Sequence, residues 1–182
     1  MRPSLPALVA LGLALAATAA APSPARAYED QATLFVDLGY AAAIGEDAVP
    51  THGIVGGLGG SWGLTDAWTI RGRLAWAGHP RDFQMGTLGV EVFYMLDILE
   101  LVPFAGLGAD GILTIADDGT GTSIGGTFAV HAVVGLDWLV NRRFIVGLDV
   151  RPHLLPLGLS DDTLPSFVLS ATLRLSVVFD RY

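Results

Sequence analysis

The segment 167–179, near the end of the chain, alternates apolar and mostly polar or small side chains over thirteen positions. Successive side chains of a β-strand point to opposite faces, so an alternation of this length indicates a strand with one apolar and one more polar face. Segments 68–77 and 144–151 follow the same pattern. This period of two constrains the fold more than any other feature, and it predicts an all-β protein.

Weaker alternation in five further segments brings the number of predicted strands to eight. These segments are 33–42, 54–64, 84–96, 101–112 and 126–139. A strand that crosses a membrane takes about 9 to 11 residues, which is close to the length of the predicted strands. The pattern therefore predicts an eight-stranded antiparallel up-and-down transmembrane β-barrel.

The connections between these strands alternate in length. Bacterial outer-membrane barrels have short periplasmic turns and longer external loops, so the alternation predicts that both termini lie in the periplasm. The short turns are 65–67, 97–100 and 140–142, and the other connections are 43–53, 78–82, 113–125 and 155–165.

The charged residues of the strands decide between this barrel and a soluble, lipocalin-like barrel, which would bury its apolar face. Here the charges share a face with small residues, and an arginine facing lipid at the bilayer centre costs about 2 to 4 kcal/mol. We therefore expect the charges to face the lumen, to pair with each other and to plug an interior that is only wide enough for side chains. They are Asp37, Arg71, Arg73, Glu91, Asp110, Asp137, Asp149, Arg151 and Arg174, with room provided by Gly57, Gly59, Gly89, Gly106, Gly108 and Gly135.

The outward aromatic residues fall at two heights of the predicted barrel, as membrane-interface girdles require. The predicted periplasmic girdle consists of Trp62, Trp68, Tyr94, Trp138, Phe144 and Phe179, and the external girdle of Tyr40, Trp76, Phe128 and Phe167. Three further aromatic residues, Phe35, Phe93 and Phe104, fall on the lumen face instead, and the pattern assigns them no role.

The first 27 residues have the composition of a cleaved export signal. Arg2 gives a positive start, 7–21 is apolar, and Ala25 and Ala27 supply the small residues that a signal peptidase reads, which predicts cleavage before Tyr28. The barrel domain is then 28–182. The net charge of −8 makes nucleic acid a poor partner, and with no cysteine the chain has neither disulfides nor thiolate chemistry.

Glycine-rich and aromatic strand segments carry a resemblance to a known family. The segments 102–108 (VPFAGLG), 132–138 (AVVGLDW) and 147–151 (GLDVR) resemble small outer-membrane β-barrel proteins of the OmpA/OmpX and OmpW-like type. The resemblance implies the outer membrane of a Gram-negative bacterium, with membrane lipid and lipopolysaccharide as partners. It also implies a barrel-insertion machinery that reads a terminal aromatic residue, which is either Phe179 or Tyr182.

Motifs that could carry chemistry lack their structural context. The stretch 106–111 matches G-x-G-x-x-G and 121–125 matches G-x-S-x-G, but no helix pattern follows either one. The acidic stretch 117–122 lacks the spacing of a calcium loop. His131 points into the lumen, and no two histidines have the spacing of a metal motif. The sequence therefore predicts no metal, no cofactor and no catalytic residue.

These observations favour a structural or surface-interaction barrel without catalysis, with acidic external loops that are open to an unknown extracellular ligand. A narrow channel for small or apolar solutes is the first alternative. A lipid-modifying enzyme is the second, and it would combine a histidine near the external strand ends with a serine. Its candidate residues are His52, His79 or His153 with Ser123 or Ser160.

Overall fold

The computed structural model describes residues 28–44, 52–80, 83–96, 100–117, 121–156 and 166–179. These residues form eight antiparallel strands in one closed barrel, in which each strand pairs with its sequence neighbours and β1 pairs with β8. The predicted fold class is confirmed. No helix in the described part of the chain is long and apolar enough to cross a membrane. The strands are β1 (Ala32–Ile44), β2 (His52–Gly63), β3 (Trp68–Gly78), β4 (Gln84–Met95), β5 (Leu101–Asp117), β6 (Thr122–Leu139), β7 (Phe144–Leu154) and β8 (Phe167–Phe179).

One predicted loop is wrong. The segment 113–125 is largely a β-hairpin, because β5 continues to Asp117 and β6 begins at Thr122, with these two residues opposite each other. The residues after Ile112 are β-branched and aliphatic, so they extend the ladder beyond the height of the other strands. The remaining predicted strand ends differ from the observed ones by at most three residues.

Short turns join strands at the end of the barrel that carries Ala32 and Phe179, which we call the terminal end; the opposite end is the loop end. Between β2 and β3, the Thr65 hydroxyl accepts hydrogen bonds from the backbone N–H groups of Ala67 and Trp68. Between β6 and β7, the Asn141 side chain accepts from the backbone N–H groups of Arg143 and Phe144. Asn and Thr form such local hydrogen bonds readily, which is why these positions turn the chain.

The barrel interior has three layers. An apolar cluster that includes Tyr28, Phe93 and Phe104 fills the terminal end. A second apolar cluster that includes Phe83, Met85 and Leu155 fills the loop end. The buried charged residues lie mainly between these clusters, so the core of this protein is polar at its middle and apolar at both ends.

Candidate functional site

All nine charged residues predicted to face the lumen are buried there, and none is more than 9% exposed. Between the two aromatic girdles, every charged residue of the described strands points inward, and the exposed outer face consists mainly of large aliphatic side chains. Leu173, for example, is 60% exposed while its neighbour Arg174 is 2% exposed. The wall is thus apolar on the outside and ionic on the inside.

Arg174 forms ion pairs with two carboxylates in the barrel interior. Its Nη2 donates to Asp137 Oδ1 at 2.5 Å, and its Nε donates to Asp149 Oδ2 at 3.2 Å. Gly147, opposite Arg174 on β7, leaves the space for these groups, since a Cβ there would lie 2.7 Å from Arg174 Nη2. Two carboxylates on neighbouring strands thereby share one guanidinium.

Glu91 is a second centre of ion pairs. Arg71 Nη1 donates to Glu91 Oε1 at 2.9 Å, and Arg151 Nε donates to Glu91 Oε2 at 3.2 Å. Arg151 also donates to Asp149 Oδ2 at 3.0 Å, which joins this group to Arg174. We call Arg71, Glu91, Asp137, Asp149, Arg151 and Arg174 the arginine network.

A separate bidentate pair lies beside the arginine network. Arg73 Nε and Nη2 donate to the two oxygens of Asp37, both at 2.7 Å. Two parallel charge-assisted hydrogen bonds are the strongest geometry for a guanidinium and a carboxylate. This pair fixes β1 against β3 across the interior.

The inward aromatic residues surround the arginine network on its terminal side. The guanidinium carbon of Arg71 lies 4.3 Å from the ring centre of Phe93, 5.2 Å from that of Phe104 and 5.4 Å from that of Phe35. Aromatic faces attract such cations, and the effect grows when water is excluded. Sequence analysis missed this role because the three phenylalanines meet only when β1, β4 and β5 curl around one axis.

Lumen-facing glycines make room for these large side chains. A Cβ at Gly59 would lie 2.5 Å from the Phe35 ring, and a Cβ at Gly135 would lie 2.2 Å from the Phe104 ring. Gly106 and Gly108 similarly leave space for Phe93 and His131. These large side chains therefore fit into the interior because the facing residue is a glycine, which has no Cβ.

A third group of buried polar residues lies toward the loop end, and we call it the His–Asp cluster: Asp110, His131 and His153. Asp110 Oδ2 lies 2.8 Å from His131 Nδ1 and 3.0 Å from His153 Nδ1. The two imidazole rings lie 4.8 Å apart, centre to centre, on directly paired positions of β6 and β7. Gly89 on β4 accommodates Asp110, because a Cβ there would lie 1.7 Å from Asp110 Oδ1.

Each imidazole of the His–Asp cluster has a partner at its other nitrogen. His131 Nε2 lies 3.3 Å from Glu91 Oε2, and His153 Nε2 lies 3.3 Å from the Ser170 hydroxyl. The cluster was not predicted, since sequence spacing showed no pair of histidines. The predicted turn at 140–142 could have indicated this pair, because a hairpin with that turn places His131 opposite His153.

Among the described residues, the serines and histidines considered for catalysis do not come together. Ser123 is exposed on β6, His52 is exposed and hydrogen-bonded to Tyr40, and Ser160 lies outside the described residues. His79 is buried at the loop end against Phe83. The contacts run from Asp110 to His153 to Ser170, as they do in a hydrolase triad. All three side chains are buried, however, and none is more than 8% exposed.

The ten girdle residues all lie on the outer face of the barrel, six near the terminal end and four toward the loop end. Seven are exposed and three are half-buried. Trp68 packs edge to face on Tyr94 at the terminal end, with ring centres 5.3 Å apart. The exposed ones are Tyr40, Trp68, Trp76, Phe128, Trp138, Phe144 and Phe179, and the half-buried ones are Trp62, Tyr94 and Phe167.

Small cavities lie inside the barrel among the described residues. One, of about 20 Å³, lies at the terminal end beside Tyr28, Arg71 and Arg174. The other, also about 20 Å³, lies toward the loop end beside Arg73, His153 and Ser170. A volume of this size holds about one water molecule.

Known structures with the same fold are small outer-membrane barrels. Neisserial surface protein A is 14% identical, with 82% of this chain and 97% of that chain covered and a TM-score of 0.66. The N-terminal β-barrel domain of Pseudomonas aeruginosa OprF is 15% identical, with 83% and 98% covered and a TM-score of 0.54. The attachment invasion locus protein Ail of Yersinia pestis is 12% identical, with 83% and 99% covered and a TM-score of 0.57.

No family model and no curated protein matches the sequence. At these identities the likeness shows the fold alone. The chain therefore has the eight-stranded fold of small outer-membrane barrels, as the resemblance in its sequence implies.

Proposed function

We propose that the chain is an integral outer-membrane β-barrel protein with a closed interior and a structural or surface-interaction role. The observation that carries this proposal is the polarity of the wall: Arg174 is buried in the interior while Leu173 beside it is exposed on the outer face. Water would disfavour such an outer face, and lipid favours it. The two aromatic girdles give this apolar band its upper and lower limits.

The interior supports a barrel that does not conduct. The arginine network crosses the middle of the lumen, and buried apolar clusters close both ends. Three arginines that each contact two carboxylates at 2.5 to 3.7 Å leave little freedom for an ion to pass. A channel for small or apolar solutes would need this network to open.

The orientation follows from the connections. Short turns lie at the terminal end, which favours a periplasmic location for that end and an external location for the loop end. The four connections at the loop end contain six carboxylates and one arginine, so their sequence is acidic. Ail has been solved in complex with the heparin analogue sucrose octasulfate. Acidic connections disfavour such a polyanion here and favour a cationic partner.

We also propose that the protein is not an enzyme. The Ser170, His153 and Asp110 side chains point into the lumen, where the adjoining cavity holds about one water molecule. A lipid in the membrane contacts the outer face and does not reach them. A fluorophosphonate probe phosphonylates activated serines, with fluoride as the leaving group, and should therefore leave Ser170 unlabelled.

The test begins with the full chain produced in a Gram-negative host. We expect it in the outer-membrane fraction, with different gel mobility before and after boiling, because a closed barrel resists unfolding in detergent. In planar bilayers the purified protein should give no steady single-channel current. Steady currents that change in Arg174→Ala would contradict the closed interior and support the channel. Recovery in the soluble periplasmic fraction would contradict the membrane location.

A further inference from the structure

The His–Asp cluster differs from every other charged group in the lumen. The interior contains five carboxylates and four arginines, which leaves one negative charge when the histidines are neutral. Asp37, Glu91, Asp137 and Asp149 each contact a guanidinium. In the described part of the chain, the partners of Asp110 are the two imidazoles, which are charged only when protonated, and not an arginine. Asp110 is therefore the carboxylate whose negative charge no arginine balances.

The donor set of the cluster is one that divalent transition metals use. Two imidazole nitrogens and one carboxylate oxygen, all within 4.8 Å of one another, come from β5, β6 and β7. Among the described residues this is the one group of three or more such donors. Imidazole suits zinc, copper, nickel and iron, and a carboxylate adds negative charge at the site.

The contacts of the second nitrogen of each imidazole also favour metal binding. Histidines that bind a metal nearly always hold their second ring nitrogen on a carboxylate, a carbonyl or another polar group. His131 Nε2 meets Glu91, and His153 Nε2 meets Ser170. Both rings therefore direct Nδ1 toward Asp110.

One of these nitrogens makes no satisfactory hydrogen bond. His131 is 5% exposed, and its Nδ1 lies 2.8 Å from Asp110 Oδ2 without the alignment of a hydrogen bond. A buried, unsatisfied nitrogen beside an unneutralised carboxylate is costly. A metal ion bound by both atoms would remove both costs.

We propose that Asp110, His131 and His153 bind one divalent transition metal ion inside the barrel, toward the loop end. Ligand atoms around one tetrahedral zinc ion lie roughly 3.3 Å apart. The separations of 2.8 and 3.0 Å between Asp110 and the two imidazoles need to open by a few tenths of an ångström, and the two imidazole nitrogens lie within 4.8 Å of each other. The cavity of about 20 Å³ beside His153 and Ser170 offers room for a further water ligand.

The test uses the full chain without a histidine tag, isolated in detergent and treated with a chelator. Zn²⁺ binding is measured by equilibrium dialysis, and Co²⁺ serves as a spectroscopic probe of the ligands. We expect one Zn²⁺ per chain, with affinity at least tenfold lower in His131→Gln and in His153→Gln. The exposed His52→Gln is the matched control and should bind as the parent does. Ser170→Ala should weaken binding by about tenfold, as outer partners of metal ligands do.

Two results would overturn the proposal. The first is absence of Zn²⁺ and Co²⁺ binding by the parent chain, which would mean that a proton on one imidazole supplies the missing charge. The second is binding that survives unchanged in both histidine variants. NMR of the parent chain with labelled histidines keeps the test valid if a variant fails to fold, because Zn²⁺ should then shift the ring signals of two buried histidines and not that of His52.

Discussion

The arginine network and the His–Asp cluster occupy neighbouring heights of one lumen, yet they neutralise their carboxylates differently. Asp149 contacts three guanidinium groups. The partners of Asp110 in the described part of the chain are two imidazoles instead. A guanidinium is permanently charged, while an imidazole is charged only when it binds a proton and otherwise offers a lone pair to a metal. One region is therefore permanently neutralised, whereas the charge of the other depends on what it binds.

The largest effect should follow from removing the guanidinium that two carboxylates share. Arg174→Leu leaves Asp137 and Asp149 buried with less positive charge, so we expect the free energy of unfolding to fall by about 3 to 5 kcal/mol. Urea unfolding in lipid vesicles, followed by tryptophan fluorescence, measures the change. Arg143→Leu, in the exposed turn before β7, is the control and should change little. A small loss of unfolding free energy in Arg174→Leu would show that the arginine network does not depend on this permanent charge.

A smaller effect is expected where a single methyl group enters the His–Asp cluster. The new Cβ in Gly89→Ala would lie 1.7 Å from Asp110 Oδ1, so Asp110 has to move, at a cost of about 1 to 3 kcal/mol. The outward Gly72 has no neighbour within 4 Å of its ideal Cβ, which makes Gly72→Ala the matched control. We expect Gly89→Ala, and not Gly72→Ala, to lower both the urea midpoint and the bound zinc. Equal behaviour of the two variants would argue against a tightly fitted cluster.

The smallest effect should come from His131→Gln in a metal-free buffer. Glutamine keeps a donor toward Glu91 or Asp110, so we expect a loss of about 1 kcal/mol or less in the free energy of unfolding. The same urea experiment with chelator present measures it. A loss as large as that of Arg174→Leu would mean that the cluster is a permanent structural element like the arginine network, and the distinction between the two regions would disappear.

The sequence predicts the wall of this barrel well. Alternation in 167–179 places Leu173 outward and Arg174 inward, and the structure has both orientations. The one clear failure is the 113–125 connection, where the glycine-rich and acidic composition suggested a loop and cross-strand pairing extended the hairpin. Local alternation fixes which face a side chain occupies, but it does not fix how far a ladder continues.

The partners of the inward side chains could not be predicted in the same way. Asp37 stands directly opposite Arg174 in the register of β1 and β8, yet it binds Arg73 on β3. Long side chains reach across a narrow lumen, so their partners depend on the stagger of all eight strands and on which glycines leave space. Residue alternation is enough to give the number of strands, their two faces and the charge on each face, because period two is a local property of the backbone. Only closure of the barrel decided the arginine network, the phenylalanines around Arg71 and the His–Asp cluster, because these contacts join residues that no local pattern relates.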